Sequence, residues 1–199
     1  MLDIVKAIRA YTPWNEQEAR DQAVMLDLLA HVPDLFSREN LIAHFTASAW
    51  ITEASRGQVL MAYHRIYDAW AWTGGHADGD RDLLNVALRE AREETGIDAR
   101  PLTEDIFSLE ILPVAGHEKK GVYVPSHLHL NVTYLLEADS AAPLRIKADE
   151  NTGVRWFSLA DAIENCSEEW MAERIYQKLN DKLAQFSGIA IKTGQTIKS

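Results

Sequence analysis

Three glutamates fall within five positions near the end of one segment: Glu90, Glu93 and Glu94 in "REAREETGI". On a helix of about 3.6 residues per turn they stand at i, i+3 and i+4, so their carboxylates project from neighbouring points and repel one another. At about 100° per residue, Glu90 and Glu94 lie at the edge of the apolar arc formed by Leu83, Leu84, Ala87, Leu88 and Ala91, whereas Arg92 points away from both. The acids also crowd the carboxy-terminal end of the helix, where the macrodipole disfavours negative charge. Spacing alone favours a surface helix laced with Glu–Arg pairs, for which Arg89 is available. The competing reading is a set of hard oxygen ligands gathered for a divalent cation, Mg2+ or Mn2+.

The elements that must position these acids are legible nearby. The pattern predicts a helix over Leu83 to Thr95, capped by Asp80 or Asp82 and terminated by Gly96. Before it, "FTASAWITE" and "VLMAYHRIY" read as a hairpin turning near Ser55 to Gly57, followed by the aromatic and glycine-rich "AWAWTGGHADGD". After it, "DIFSLEILPVAG" and "HLHLNVTYLLEA" read as strands. In the second, His127, His129, Asn131 and Thr133 alternate with Leu128, Leu130, Val132 and Tyr134, which predicts a half-buried strand with one polar face. "VRWFSL" is a further short strand, and residues 160–186 read as two helices, the second long and amphipathic. Residues 1–42 read as a helical extension covering one face of the sheet, 43–187 as the principal domain, and 188–199 as a polar tail.

Bulk composition narrows the function. The chain has 199 residues, enough for one sizeable core, and 30 acidic against 20 basic residues give a net charge of −10. That balance works against sequence-independent binding to nucleic acid or to an anionic membrane, both of which require basic surface. An anionic small molecule would need local help, such as a metal ion. No apolar run reaches the length of a membrane span, and the amino terminus is too interrupted by charge for a secretory signal. One cysteine, Cys166, cannot form an internal disulfide, so a cytoplasmic location is expected.

The segment from Gly75 to Ile97 resembles the Nudix box: a Gly, five residues, a Glu, seven residues, then Arg-Glu-apolar-any-Glu-Glu-any-Gly-apolar. Gly75, Arg89, Glu90, Ala91, Glu93, Glu94, Gly96 and Ile97 fill eight of its nine fixed positions in register; the ninth, the family's first Glu, falls on Arg81, flanked by Asp80 and Asp82, either of which could substitute. The resemblance implies an α/β/α sandwich with a mixed sheet between the box helix and the carboxy-terminal helices. It further implies a Mg2+- or Mn2+-dependent hydrolase in which activated water attacks phosphorus in a diphosphate linkage of a nucleoside diphosphate derivative, a small-molecule partner. On the matching positions Glu90, Glu93 and Glu94 become metal ligands, joined by the backbone carbonyl of Gly74, while Arg89 orients a carboxylate and Glu93 takes part in catalysis. A glutamate outside the box serves many members as an extra ligand or general base; Glu150 is the candidate and Glu118 its competitor. His76, His127 and His129 are candidate substrate contacts, against the plainer reading of capped or half-exposed sheet histidines. Two rival functions are a catalytically silent nucleotide-binding sensor and an isoprenoid diphosphate isomerase, the latter requiring Cys166 as its catalytic cysteine. Oligomeric state stays open, a homodimer included.

Overall fold

The computed structural model describes residues 3–65, 68–119 and 121–186; the expected tail at 188–199 lies outside them. Two helices lead the chain, α1 (Ile4–Ala10) and α2 (Glu16–His31), each opened by a side-chain cap, Asp3 and Asn15. A hairpin follows, β1 (Ala43–Thr52) and β2 (Gln58–His64), turning where the sequence predicts, and then the short strands β3 (Ala69–Ala71) and β4 (Thr73–His76). Helix α3 (Leu83–Thr95) leads to β5 (Arg100–Pro101), β6 (Ser108–Val114), the pair β7 (His117–Lys119) and β8 (Val122–Val124), β9 (His127–Glu137) and β10 (Asn151–Ser158). Helix α4 (Leu159–Glu164), a π-helical turn at Met171–Tyr176 and α5 (Gln177–Gln185) close the described chain. Among the described residues, no helix is long and apolar enough to cross a membrane.

The mixed sheet runs β10-β2-β1-β9-β5, with β3 on β2, β4 on β1 and β6 on β9; β7 and β8 form a separate hairpin. Its axis is a parallel pair, β1 and β9, in register over ten positions from Ala43↔Leu128 to Thr52↔Glu137. Every residue of β1 is buried because both its faces are covered. Phe45, Ala47, Ala49 and Ile51 pack with Leu130, Val132 and Leu136 against Leu83, Val86, Ala87 and Ala91 of α3, a core that also takes in Ile4, Ile8 and Met25 from the leading helices. On the opposite face Trp50, Met61 and Leu135 meet Tyr176, Leu179 and Leu183. Trp72 joins this second core, with Trp70 packed at its margin.

The polar face of β9 is buried as well, contrary to the half-exposed strand that its alternation suggests. Asn131 Oδ1 accepts from Thr46 Oγ1 and Ser48 Oγ, both at 2.9 Å, while Asn131 Nδ2 and Thr133 Oγ1 donate to Glu110 Oε2 at 2.9 and 2.8 Å. Lys178 Nζ closes the network on Glu110 Oε1 at 3.0 Å and on Glu18 at 3.3 Å; Lys182 Nζ lies 2.9 Å from Glu18. Glu18 also accepts from Tyr11 and Ser108 hydroxyls. Burial pushes the Glu18 carboxyl up, but Lys178, Lys182 and the Tyr11 hydroxyl outweigh it and pull it down to about 2. Two acids and two ammonium groups thus neutralise one another inside, and α2 supplies one member of the set rather than merely covering the sheet.

Candidate active site

Helix α3 begins on Asp82, whose Oδ1 accepts from the Asn85 N–H at 3.1 Å, and ends on Gly96, whose φ of 73° lies in the left-handed region that favours glycine. These two signals set the helix phase, and the phase sets the depth of each acid. Glu94 is fully buried, the Glu90 side chain is 15% exposed and Glu93 is 47% exposed, while Arg92 faces solvent. The arc geometry read from the sequence is the one observed.

Strand β4 receives the buried acids. Gly74 donates its N–H to Glu94 Oε1 at 2.9 Å, while Glu94 Oε2 faces His64 Nε2 at 3.4 Å. Glu90 lies so close to Gly75 that a Cβ there would fall 2.4 Å from the Glu90 carboxyl carbon, so only glycine admits this carboxylate. Arg89 reaches Glu90 at 3.8 Å and Asp80 at 3.5 Å. Arg81, where the box usually carries a glutamate, stacks its guanidinium over Phe36 at 4.5 Å; of the two neighbouring aspartates, Asp80 touches the box through Arg89 and Asp82 is spent as the helix cap.

A loop from far along the chain completes the group. Arg145 donates its N–H to the Thr95 carbonyl at 2.8 Å, and Asn151 Nδ2 donates to the Glu94 carbonyl at 2.8 Å, which satisfies carbonyls exposed at the end of α3. The loop so fastened carries Lys147, whose Nζ stands 3.0 Å from both Glu93 and Glu150. Glu150 is therefore brought to the box through Lys147. Glu118 lies on the β7–β8 hairpin, off the main sheet. Lys147, Asn151 and His64 are members of this site that sequence reasoning did not find.

The electrostatic balance is acidic. Four carboxylates, Glu90, Glu93, Glu94 and Glu150, share Lys147, Arg89 and the His64 imidazole, and Arg89 is also engaged by Asp80. Burial, then repulsion from Glu93 and Glu94, pushes the Glu90 carboxyl up to about 7, and the two cations offset only part of this. Burial works against the charge on Lys147, but Glu150 and Glu93 hold its pKa above the ordinary lysine range. Burial likewise opposes protonation of His64, yet Glu94 and Glu150 prevail and raise it. A hard-oxygen donor set with surplus negative charge fits Mg2+ or Mn2+.

His76, His127 and His129 do not join the carboxylates; they gather with His44, which the sequence did not single out. Ring centroids stand 4.8 Å apart for His44–His127, 5.1 Å for His44–His129 and 5.0 Å for His127–His129, and His76 lies 5.1 Å from His44 and 4.9 Å from His129. Burial first, then the neighbouring imidazoles and Arg38, holds the pKa of His129 far below the ordinary histidine value; burial also lowers His44. Cys166 packs beside the aromatic core, where burial pushes its thiol up and away from the thiolate.

A family model described as NUDIX domain matches residues 43–179. The chain is 31% identical over 96 residues to the asymmetrical bis(5'-nucleosyl)-tetraphosphatase of Mus musculus, a match covering 48% of this chain and 59% of that protein; the chain thus spans less than two thirds of the relative's length. Among solved structures, it is similar to a Caenorhabditis elegans Ap4A hydrolase in a binary complex, at 22% identity and a TM-score of 0.49 over 71% of this chain and 96% of that one. It is also similar to a NUDIX-family hydrolase from Clostridium perfringens, at 21% identity and a TM-score of 0.48 over 71% and 97%.

Proposed function

This chain belongs to the NUDIX family, and from that premise we propose that it is a Mg2+- or Mn2+-dependent hydrolase cleaving a diphosphate linkage in a nucleotide derivative, with water attacking phosphorus. The observation that carries the reading is the surplus of acid at the end of α3, expressed in a Glu90 carboxyl pushed up to about 7 by burial and by Glu93 and Glu94. Carboxylates are held in that arrangement at a cost in free energy that a divalent cation would remove. When bound there, divalent ions supply charge neutralisation on the phosphates and a lowered pKa for the attacking water.

The remaining work falls to the chain itself. Glu90, Glu93 and Glu94 are the proposed ligands, and the Gly74 carbonyl is proposed as a further one. The Gly74 N–H fixes Glu94, and Arg89 steadies Glu90. Glu150, held beside Glu93 by Lys147, is the proposed base that takes the proton from water. The name of the mouse relative supports dinucleoside polyphosphates as the first substrate class to assay.

The test is a phosphate-release panel over dinucleoside polyphosphates, nucleoside triphosphates and nucleotide sugars with Mg2+ or Mn2+, run beside Glu93→Gln. Losing a ligand that contributes several kcal/mol of transition-state stabilisation lowers turnover by about a thousandfold with the fold intact. Equal turnover by the variant, or nucleotide binding with no turnover of any class, overturns the reading.

A further inference from the structure

The second histidine group sits at one end of the β1–β9 seam. Parallel register sets His44 beside His129, His127 follows the same face of β9 two residues away, and β4 brings His76 opposite Thr46. One ring nitrogen from each of His44, His127 and His129 lies within 4.8 Å of the other two.

The tautomers of two rings are set by the backbone. His44 Nδ1 is 3.0 Å from the Asn40 carbonyl and His127 Nδ1 is 2.8 Å from the Pro125 carbonyl. A carbonyl only accepts, so each Nδ1 must carry the hydrogen, and the neutral ring then presents a lone pair at Nε2. This is the outer hydrogen bond that orients metal-bound histidines. His44 is 3% exposed, and its Nε2 is buried with no hydrogen-bond partner. His127 Nε2 and His129 Nε2 face each other at 3.2 Å.

Packing alone explains part of this: His129 can donate through Nε2 to His127. That arrangement leaves the buried Nε2 of His44 unsatisfied, whereas a cation answers all three lone pairs at once. Arg38 is the nearby charge that opposes a cation, but Asp78 holds its guanidinium through two hydrogen bonds and cancels much of its field.

We propose that His44, His127 and His129 form a binding site for a divalent transition ion of imidazole preference, Zn2+ foremost, distinct from the carboxylate site on α3. Neutral nitrogen donors suit Zn2+ where carboxylates suit Mg2+, so the two sites select different ions by ligand chemistry. Zinc–nitrogen bonds of about 2.0–2.1 Å in tetrahedral geometry place ligand nitrogens roughly 3.4 Å apart, so the rings need shift only modestly from their present spacing. Three ligands leave a fourth position, with His76 in contact with two of them.

The experiment loads the full chain, stripped by chelation and kept in excess Mg2+, with one equivalent of Zn2+ and records the X-ray absorption edge and fine structure. The expected result is a nitrogen shell at about 2.0–2.1 Å with imidazole outer-shell scattering. Removing a ligand in His44→Ala or His127→Ala weakens Zn2+ binding by about a hundredfold or more, while Glu93→Gln leaves it unchanged. An oxygen-only shell, no binding, or equal affinity in the histidine variants overturns the proposal; the spectrum of the unaltered protein decides the matter even if a variant fails to fold.

Discussion

Two acidic groups in this molecule meet opposite fates. Glu18 and Glu110 are fully buried, yet Lys178 and Lys182 stand within 3.3 Å of them, and the Glu18 carboxyl is drawn down to about 2 despite burial. Glu90 is less buried, yet its carboxyl is pushed up to about 7, by burial first and then by Glu93 and Glu94, and Lys147 and Arg89 offset only part of this. Burial alone therefore does not set the charge state of an acid in this chain. The count of compensating cations differs: two lysines balance the first group, and the second keeps a surplus of acid that the proposed ions would offset.

The contrast breaks down most visibly if the two groups respond alike to losing an acid. Glu110→Ala removes one of the two carboxylates on buried Lys178 and the acceptor of Asn131 and Thr133, and should cost about 3–5 kcal/mol of stability in urea unfolding. Acid provides the next largest effect. The Glu18 carboxyl sits at about 2 in the folded chain against an ordinary 4.5, so its contribution is whole above 4.5 and disappears as pH falls towards 2, when the unfolded chain takes up the proton first. On the order of 2–3 kcal/mol should be lost across that window, and Glu18→Gln should flatten the slope.

The acids of α3 should answer with the opposite sign. Near pH 8 without divalent ions, Glu90→Gln should stabilise the protein on the order of 1–3 kcal/mol, because a carboxyl raised to about 7 is ionised there against its neighbours. Gly75→Ala sharpens the comparison without changing charge: the new Cβ displaces the Glu90 carboxylate and should lower hydrolysis by about 10–100-fold with little loss of stability.

What could be read in advance follows the range of the interactions. Helix α3 was legible because its cap, its stop and its apolar arc lie within 15 residues, Asp82 to Gly96, and the depth of each acid follows from helical phase alone. Lys147 and Asn151 were not, since they reach Glu93 and the Glu94 carbonyl across 54 and 57 residues with no local pattern to announce them. The same holds for His44, whose pairing with His129 depends on a parallel register that no turn between them specifies. Alternation along β9 separated two faces correctly but said nothing of whether the polar one was wet; Asn131 and Thr133 are satisfied by other side chains instead.

Whether the acids of α3 hold a cation is read directly from an anomalous difference map of crystals of the full chain grown with Mn2+ in excess. A peak is expected within coordination distance of the carboxylate oxygens of Glu90, Glu93 and Glu94, absent from crystals of Glu93→Gln. Carboxylates turned away from one another with no peak between them, in crystals where Mn2+ is bound elsewhere, would contradict the proposed ligand set.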